Sequence, residues 1–248
     1  IFKSILNLCD IIVSANRERR EFLLRKLEYC HCDRFKVIEN FADEIFYKLP
    51  HGVLPEKIKS WLGNHMYILA QGGGANPGRY LAEVVEAVMT INNIKLVVVG
   101  PFAKEERPNL HSRYKNLDEK VYFTGWVRQF ELVNYIDNAV ASIVLYNTDK
   151  NNNRLCAANR LYQALSRGVP AIVGSNPPMK SLVKSLRCGV VLQYDGRNIF
   201  DISEGIHSLL RDYGDYKKQT VEQKHTLTWE SQKMTIGTVI GLTAGDLS

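Results

Sequence analysis

The chain has 248 residues, 45% of them hydrophobic, which is enough apolar material for a folded core and excludes a disordered chain. Lys and Arg number 32 against 26 Asp and Glu, a net charge of +6 that can favour polyanions, acidic lipid headgroups or phosphorylated ligands without choosing among them. Five irregularly spaced cysteines, Cys9, Cys30, Cys32, Cys156 and Cys188, exclude a disulfide scaffold and read as reduced thiols of a cytoplasmic protein, with contact at the inner face of a membrane left open.

No apolar run approaches the roughly 20 residues that span a bilayer. The start has neither a basic n-region nor a cleavage site, so no signal peptide is expected. Ile1 stands where an initiator Met would, and further sequence is expected upstream.

Ile11-Ile12-Val13 reads as a strand, Arg17 to Tyr29 as a helix and Phe35 to Ile38 as a second strand. The basic and apolar residues of Arg17 to Lys26 suit either ordinary packing or a membrane surface. Cys30-His31-Cys32-Asp33 reads as a helix end and turn, because a zinc site needs four ligands and no second half follows. Residues 41–64 carry Pro50, Gly52, Pro55 and Gly63 without a sustained period and read as a linker.

Beyond it the alternation is cleaner. Tyr67 to Ala70, Lys95 to Val99, Val121 to Phe123, Ala141 to Leu145, Ala171 to Val173 and Val190 to Leu192 read as strands. Helices are expected over Arg79–Ile91, Phe130–Asp137, Asn159–Ser166, from Pro177 with Asn176 as cap, and over Asp201–Leu210. Asn151-Asn152-Asn153 reads as a loop, and Gly241 to Ser248 as a frayed tail. This β/α repetition with continuous apolar strands predicts an α/β fold: a Rossmann-like parallel sheet with helices on both faces. Ligands of such sheets bind beyond the carboxyl ends of the strands.

Two segments there can carry chemistry. The loop Gln71 to Arg79 leaves a buried strand with Gly72-Gly73-Gly74 and reads either as a tight turn or as a loop whose exposed N–H groups and Arg79 meet a phosphate. The helix from Asn159 has Arg160 in its first turn, where free N–H groups and the helix dipole already favour an anion. A cation there either points to solvent or meets a diphosphate. The six histidines show no metal spacing, and Ser175 and Ser181 read as capping or surface residues rather than nucleophiles.

Asn159–Val173 resembles the "NKLFEYMAAGLPVI" signature of family 4 glycosyltransferases of GT-B fold. Gln71–Arg79 is similar to their "QGGLNPGRG", Val121–Val127 to "VxFLGWV" and Ala141–Tyr146 to the "ADVGLVPY" strand. Cys9–Ser14 and Val37–Asp43 look like "ADAVIVVS…VIPNGVD", which ends the acceptor domain. Trp229-Glu230 falls where many members have "TWE" before a terminal helix. The motifs run in the family's order over most of residues 8–210.

The resemblance implies residues 1–40 as the end of an incomplete acceptor domain, 41–64 as linker, 65–225 as the nucleotide-sugar-binding domain and 226–248 as a C-terminal helix and tail. It implies that Gly72, Gly73, Gly74, Arg79, Asn159, Arg160 and Leu161 hold the donor diphosphate. Gln163 would bind ribose, and Gly125, Trp126 and Val127 would line the base pocket. No catalytic residue is assigned, and neither a metal nor a cofactor is expected. The implied reaction is retaining transfer of a sugar from a UDP- or GDP-linked donor to a glycan or lipid-linked acceptor in polysaccharide assembly. Nucleic acid is set aside as a partner, since charge alone would support it.

Three departures accompany the resemblance. Leu155 and Gln163 stand where many members have a pair of Glu, and an amide cannot supply a carboxylate. Arg160 replaces the usual Lys and favours bidentate contact. Only the last piece of an acceptor domain is present. Two alternatives therefore stay open: a non-catalytic nucleotide-sugar-binding module, and a nucleotide-sugar 2-epimerase.

Overall fold

The computed structural model describes residues 4, 6, 8–27, 32–72, 77–101 and 106–241. Gly73, Gly74, the Cys30–His31 pair and the tail beyond Gly241 lie outside the described residues.

A two-stranded parallel sheet, β1 (Ile12–Ser14) and β2 (Phe35–Val37), precedes the main body. The helix Arg17–Leu27 packs against both strands, with Leu23 and Leu24 beside buried Phe35. The main sheet has six parallel strands: β3 (Met66–Gln71), β4 (Ile94–Val99), β5 (Val121–Gly125), β6 (Ala141–Val144), β7 (Ala171–Val173) and β8 (Gly189–Val191). Their order is β5-β4-β3-β6-β7-β8. The order reverses between β3 and β6, so the loops leaving these two strands open a crevice at the carboxyl edge of the sheet.

Both faces are covered, which is why the strands read as unbroken apolar runs. On one face the Leu81–Met89 and Ile199–Arg211 helices pack together through residues such as Val84, Val88, Ile202 and Ile206. The Asn159–Ser166 helix buries Leu161 and Leu165 beside Met179 and Val183 of the Pro177–Leu186 helix.

Residues 41–64 are more than a linker. They form two short helices, Glu44–Lys48 and Glu56–Leu62, whose Phe46, Ile58 and Leu62 cover the other sheet face. Arg167, 7% exposed in its side chain, fixes them. It donates to both carboxylate oxygens of Asp137 and to the carbonyls of Phe46, Tyr47, Leu49 and Pro50. Gly52 permits the approach, since a Cβ there would lie 2.2 Å from the Val133 carbonyl oxygen.

Three local expectations differ. The helix expected from Arg79 begins at Leu81, because Tyr80 sits in the left-handed region at φ 52°. Asn151 to Asn153 open a short helix, Asn151–Arg154, rather than a loop. Asn176 precedes the Pro177–Leu186 helix but makes no side-chain cap. Pro177 and Pro178 have no N–H to donate to it; the Asn176 amide nitrogen donates to the Asn153 carbonyl at 3.1 Å, and its Oδ1 has no partner among the described residues.

Candidate functional site

A cavity of about 630 Å³ lies at the crevice. The ends of β3 and β4 contribute Gln71, Gly72, Val99, Gly100 and Pro101, the start of the Asn159–Ser166 helix contributes Asn159, Arg160 and Gln163, and Trp126 and Val127 form another wall. Among the described residues lining it there is no Asp or Glu.

Arg160 is the centre of the electrostatics. Its guanidinium donates to the Gln71 carbonyl and, at 3.0 Å, to that of Leu145. It lies 4.7 Å from the Tyr146 ring centroid. Arg79 approaches the same ring at 5.7 Å and donates to the Gly72 carbonyl. Neither arginine has a carboxylate partner among the described residues, and both Nε atoms are buried without a hydrogen bond. Burial draws the Arg160 pKa down to about 10, opposed by Tyr146 and reinforced by Arg79. Two unneutralised guanidiniums side by side are costly unless an anion joins them.

The backbone is shaped to the same end. Gly72 has φ 94°, and a Cβ on it would lie 2.6 Å from Arg79 Nη1 and 3.3 Å from Arg160 Nη1. Asn159 is the first residue of its helix, and Ala158 before it provides no side-chain cap. Among the described residues the Asn159 and Arg160 N–H groups have no carbonyl partner, as expected of a first turn.

The structure thus gathers Gly72, Arg79, Trp126, Val127, Asn159, Arg160 and Gln163 around one cavity. Gly125 is not among the lining residues; it precedes Trp126 at φ 72°, its carbonyl accepting from the Gly100 N–H at 2.9 Å. Leu161 is placed differently: its side chain is fully buried in the core and its N–H donates to the Ala158 carbonyl at 2.8 Å. Gly73 and Gly74 cannot be located within the described residues.

Several residues of the site were not singled out by sequence. Tyr146 follows β6 at the strand-order reversal, and its position after a buried strand was the available signal. Gln71, for which the sequence suggested no role of its own, donates at 3.4 Å to Gln163, the residue the resemblance implies for ribose. Asn40 reaches the cavity from the N-terminal segment. Asn16, 1% exposed, donates at 2.9 Å to the Leu155 carbonyl and so braces the wall that includes Cys156. Burial pushes the Cys156 thiol up despite the nearby arginines.

Below the cavity, Asp195 anchors the turn that carries Arg79. Its carboxylate, 2% exposed as a residue, accepts from Tyr80 at 2.9 Å, from the Thr148 N–H and hydroxyl at 3.0 Å, and from Arg197 at 2.8 Å. Burial alone would raise its pKa, but these donors together hold it well below the usual carboxylate range.

The family model for glycosyl transferases group 1 matches residues 73–226. Among curated proteins none matches the chain. Sucrose-phosphate synthase from Thermosynechococcus elongatus superposes with a TM-score of 0.73 at 16% identity, covering 96% of this chain and 59% of that one. HepE of Anabaena in complex with UDP and glucose superposes with a TM-score of 0.72 at 14% identity, over 94% of this chain and 63% of that one. WaaG, a glycosyltransferase involved in lipopolysaccharide biosynthesis, gives 0.66 at 14% identity, over 87% and 57% respectively. The chain therefore spans less than two thirds of these structures. It belongs to the glycosyl transferases group 1 family, and its parallel sheet has the Rossmann-like form expected of GT-B proteins.

Proposed function

We propose that the chain is the donor-binding part of a retaining glycosyltransferase that takes a sugar from a UDP- or GDP-linked donor to a glycan or lipid-linked acceptor. The observation that carries this reading is the pair Arg79 and Arg160, converging on Tyr146 in a cavity that has no lining acid among the described residues. A diphosphate fits there, flanked by two guanidiniums and the free N–H groups of the Asn159 helix start. The same groups would offset the charge that grows on the departing nucleoside diphosphate, and their fixed position would need little rearrangement during transfer. In this reading the arginines do what a divalent cation does in other phosphate sites, and Trp126 and Val127 would flank the base.

Residues 1–40 are proposed as the end of an acceptor domain and 65–225 as the donor domain. Calorimetry with UDP, GDP and ADP tests the assignment. One nucleotide should bind in the micromolar range, and the Arg79→Ala, Arg160→Ala double variant should lose binding. Absence of binding to all three, or an unaffected double variant, would refute it.

A second reading, a nucleotide-sugar-binding module without turnover, is favoured by one observation: among the described residues the cavity lining offers no carboxylate that could act as a base. Release of the sugar from a UDP- or GDP-sugar, or its transfer, excludes that reading.

A further inference from the structure

The residue after Arg79 has an unusual backbone. Tyr80 is buried and lies in the left-handed region at φ 52° and ψ 35°, which a side chain with a Cβ disfavours. A backbone kept in such a conformation beside a binding residue points to a constraint supplied from elsewhere in the fold. Here the constraint is the bond from the Tyr80 hydroxyl to Asp195 Oδ2 at 2.9 Å.

The same oxygen reaches a second segment of the site. Thr148 donates to it through both its N–H and its hydroxyl at 3.0 Å. Thr148 stands two residues after Tyr146, the ring that both guanidiniums approach. The two segments also meet directly, the Asn147 N–H donating to the Gly78 carbonyl at 2.7 Å. Arg197 spans the back of this junction, donating to both Asp195 oxygens at 2.8 Å and to Asp149 at 3.2 Å. The packing is close: a Cβ on Gly196 would lie 2.7 Å from Leu145 Cδ1 and 3.0 Å from Tyr80 Cδ2. Asp195 itself is not among the residues lining the cavity, so any effect on a ligand passes through the segments it holds.

We propose that Asp195 is a positioning residue of the diphosphate site, holding the Arg79 turn and the Tyr146 loop together through Tyr80 and Thr148. This rests on the donor-site reading above. Arg79 is a long side chain on a short turn, and ordering both at the moment of binding would cost affinity. With the turn clamped from below, the guanidinium meets the diphosphate already placed. A role confined to folding would have no such dependence on Arg79.

Calorimetry with UDP, GDP and ADP on a double-mutant cycle tests it, with a thermal melt confirming that each variant is folded. Tyr80→Phe keeps the ring and removes the bond to Asp195. It should weaken binding of the preferred nucleotide about 3- to 10-fold. In an Arg79→Ala background the same substitution should cause no further loss, because the group being positioned is gone. Asp195→Asn should weaken binding at least as much and show the same dependence on Arg79; Tyr80→Phe alone decides if Asp195→Asn does not fold. Unchanged affinity in folded Tyr80→Phe, or an equal loss with and without Arg79, overturns this proposal alone. Failure of the unaltered protein to bind any of the three nucleotides overturns the donor-site reading and this proposal with it.

Discussion

The Arg160 guanidinium lies 4.7 Å from the centre of the Tyr146 ring. That stacking holds a buried cation in place before any ligand arrives, and the ring offers its negative face without supplying a neutralising charge. Arg160→Ala should weaken binding of the preferred nucleoside diphosphate about 10- to 100-fold, as expected for charge-assisted bonds worth about 1.5–3 kcal/mol. Arg160→Lys should recover only part of this, because an ammonium neither stacks nor forks. Titration calorimetry of the three proteins gives the comparison.

Gly72→Ala should damage the same site through the backbone. The residue needs φ 94°, and the added Cβ would press on both guanidiniums. A fall of about 1–2 kcal/mol in stability from the strained conformation is expected. Nucleotide affinity should drop further than that of a Gly63→Ala control, since Gly63 also has positive φ but meets nothing within 4 Å. Equal effects of the two substitutions on affinity would mean that Gly72 matters only for folding.

The Asp195 carboxylate predicts a pH dependence. Its folded-state pKa is depressed from an ordinary value of 3.8, so it stabilises the fold above that pH and the contribution is lost as pH falls below it. Asp195→Asn should flatten the acid limb of a thermal-stability profile below about pH 4. At neutral pH it should cost stability, because Tyr80, Thr148 and Arg197 lose a charged acceptor. Tyr80→Phe isolates one of these bonds and should cost about 1 kcal/mol. An acid limb as steep in Asp195→Asn as in the parent protein would remove Asp195 from the account.

Arg167→Met should lower stability by about 3–5 kcal/mol, since it leaves the Asp137 carboxylate, 2% exposed, without its cation. The clamp does not line the cavity, so nucleotide affinity of the folded fraction should be unchanged. Chemical denaturation measures the first effect and calorimetry well below the melting temperature the second. An Arg167→Met, Asp137→Leu double variant should recover part of the loss.

Regular β/α alternation was legible because the inner strands are apolar on both faces and helices such as Glu56–Leu62 and Asn159–Ser166 are followed by a Gly stop signal, Gly63 and Gly168. The Asn159–Ser166 helix was expected at the bounds observed. The order of residues 41–64 was not legible, because it depends on Arg167 and Asp137, which lie far downstream in the sequence. Local periodicity carries no trace of such a contact. Tyr80 hid a helix start for a related reason: its φ of 52° is held by a hydrogen bond to distant Asp195. At the site, charge and glycine placement pointed to Arg79, Arg160 and Gly72. The resemblance marked Gln163, but its contact with Gln71 was not legible, because the two meet only once β3 and the Asn159 helix are packed together.

The most direct measurement is a crystal structure of the protein soaked separately with UDP and GDP. The account predicts a diphosphate within hydrogen-bonding distance of Arg79, Arg160 and the first-turn N–H groups of the Asn159 helix, with the ribose beside Gln163. A diphosphate bound elsewhere, or an empty crevice at saturating nucleotide, would contradict it.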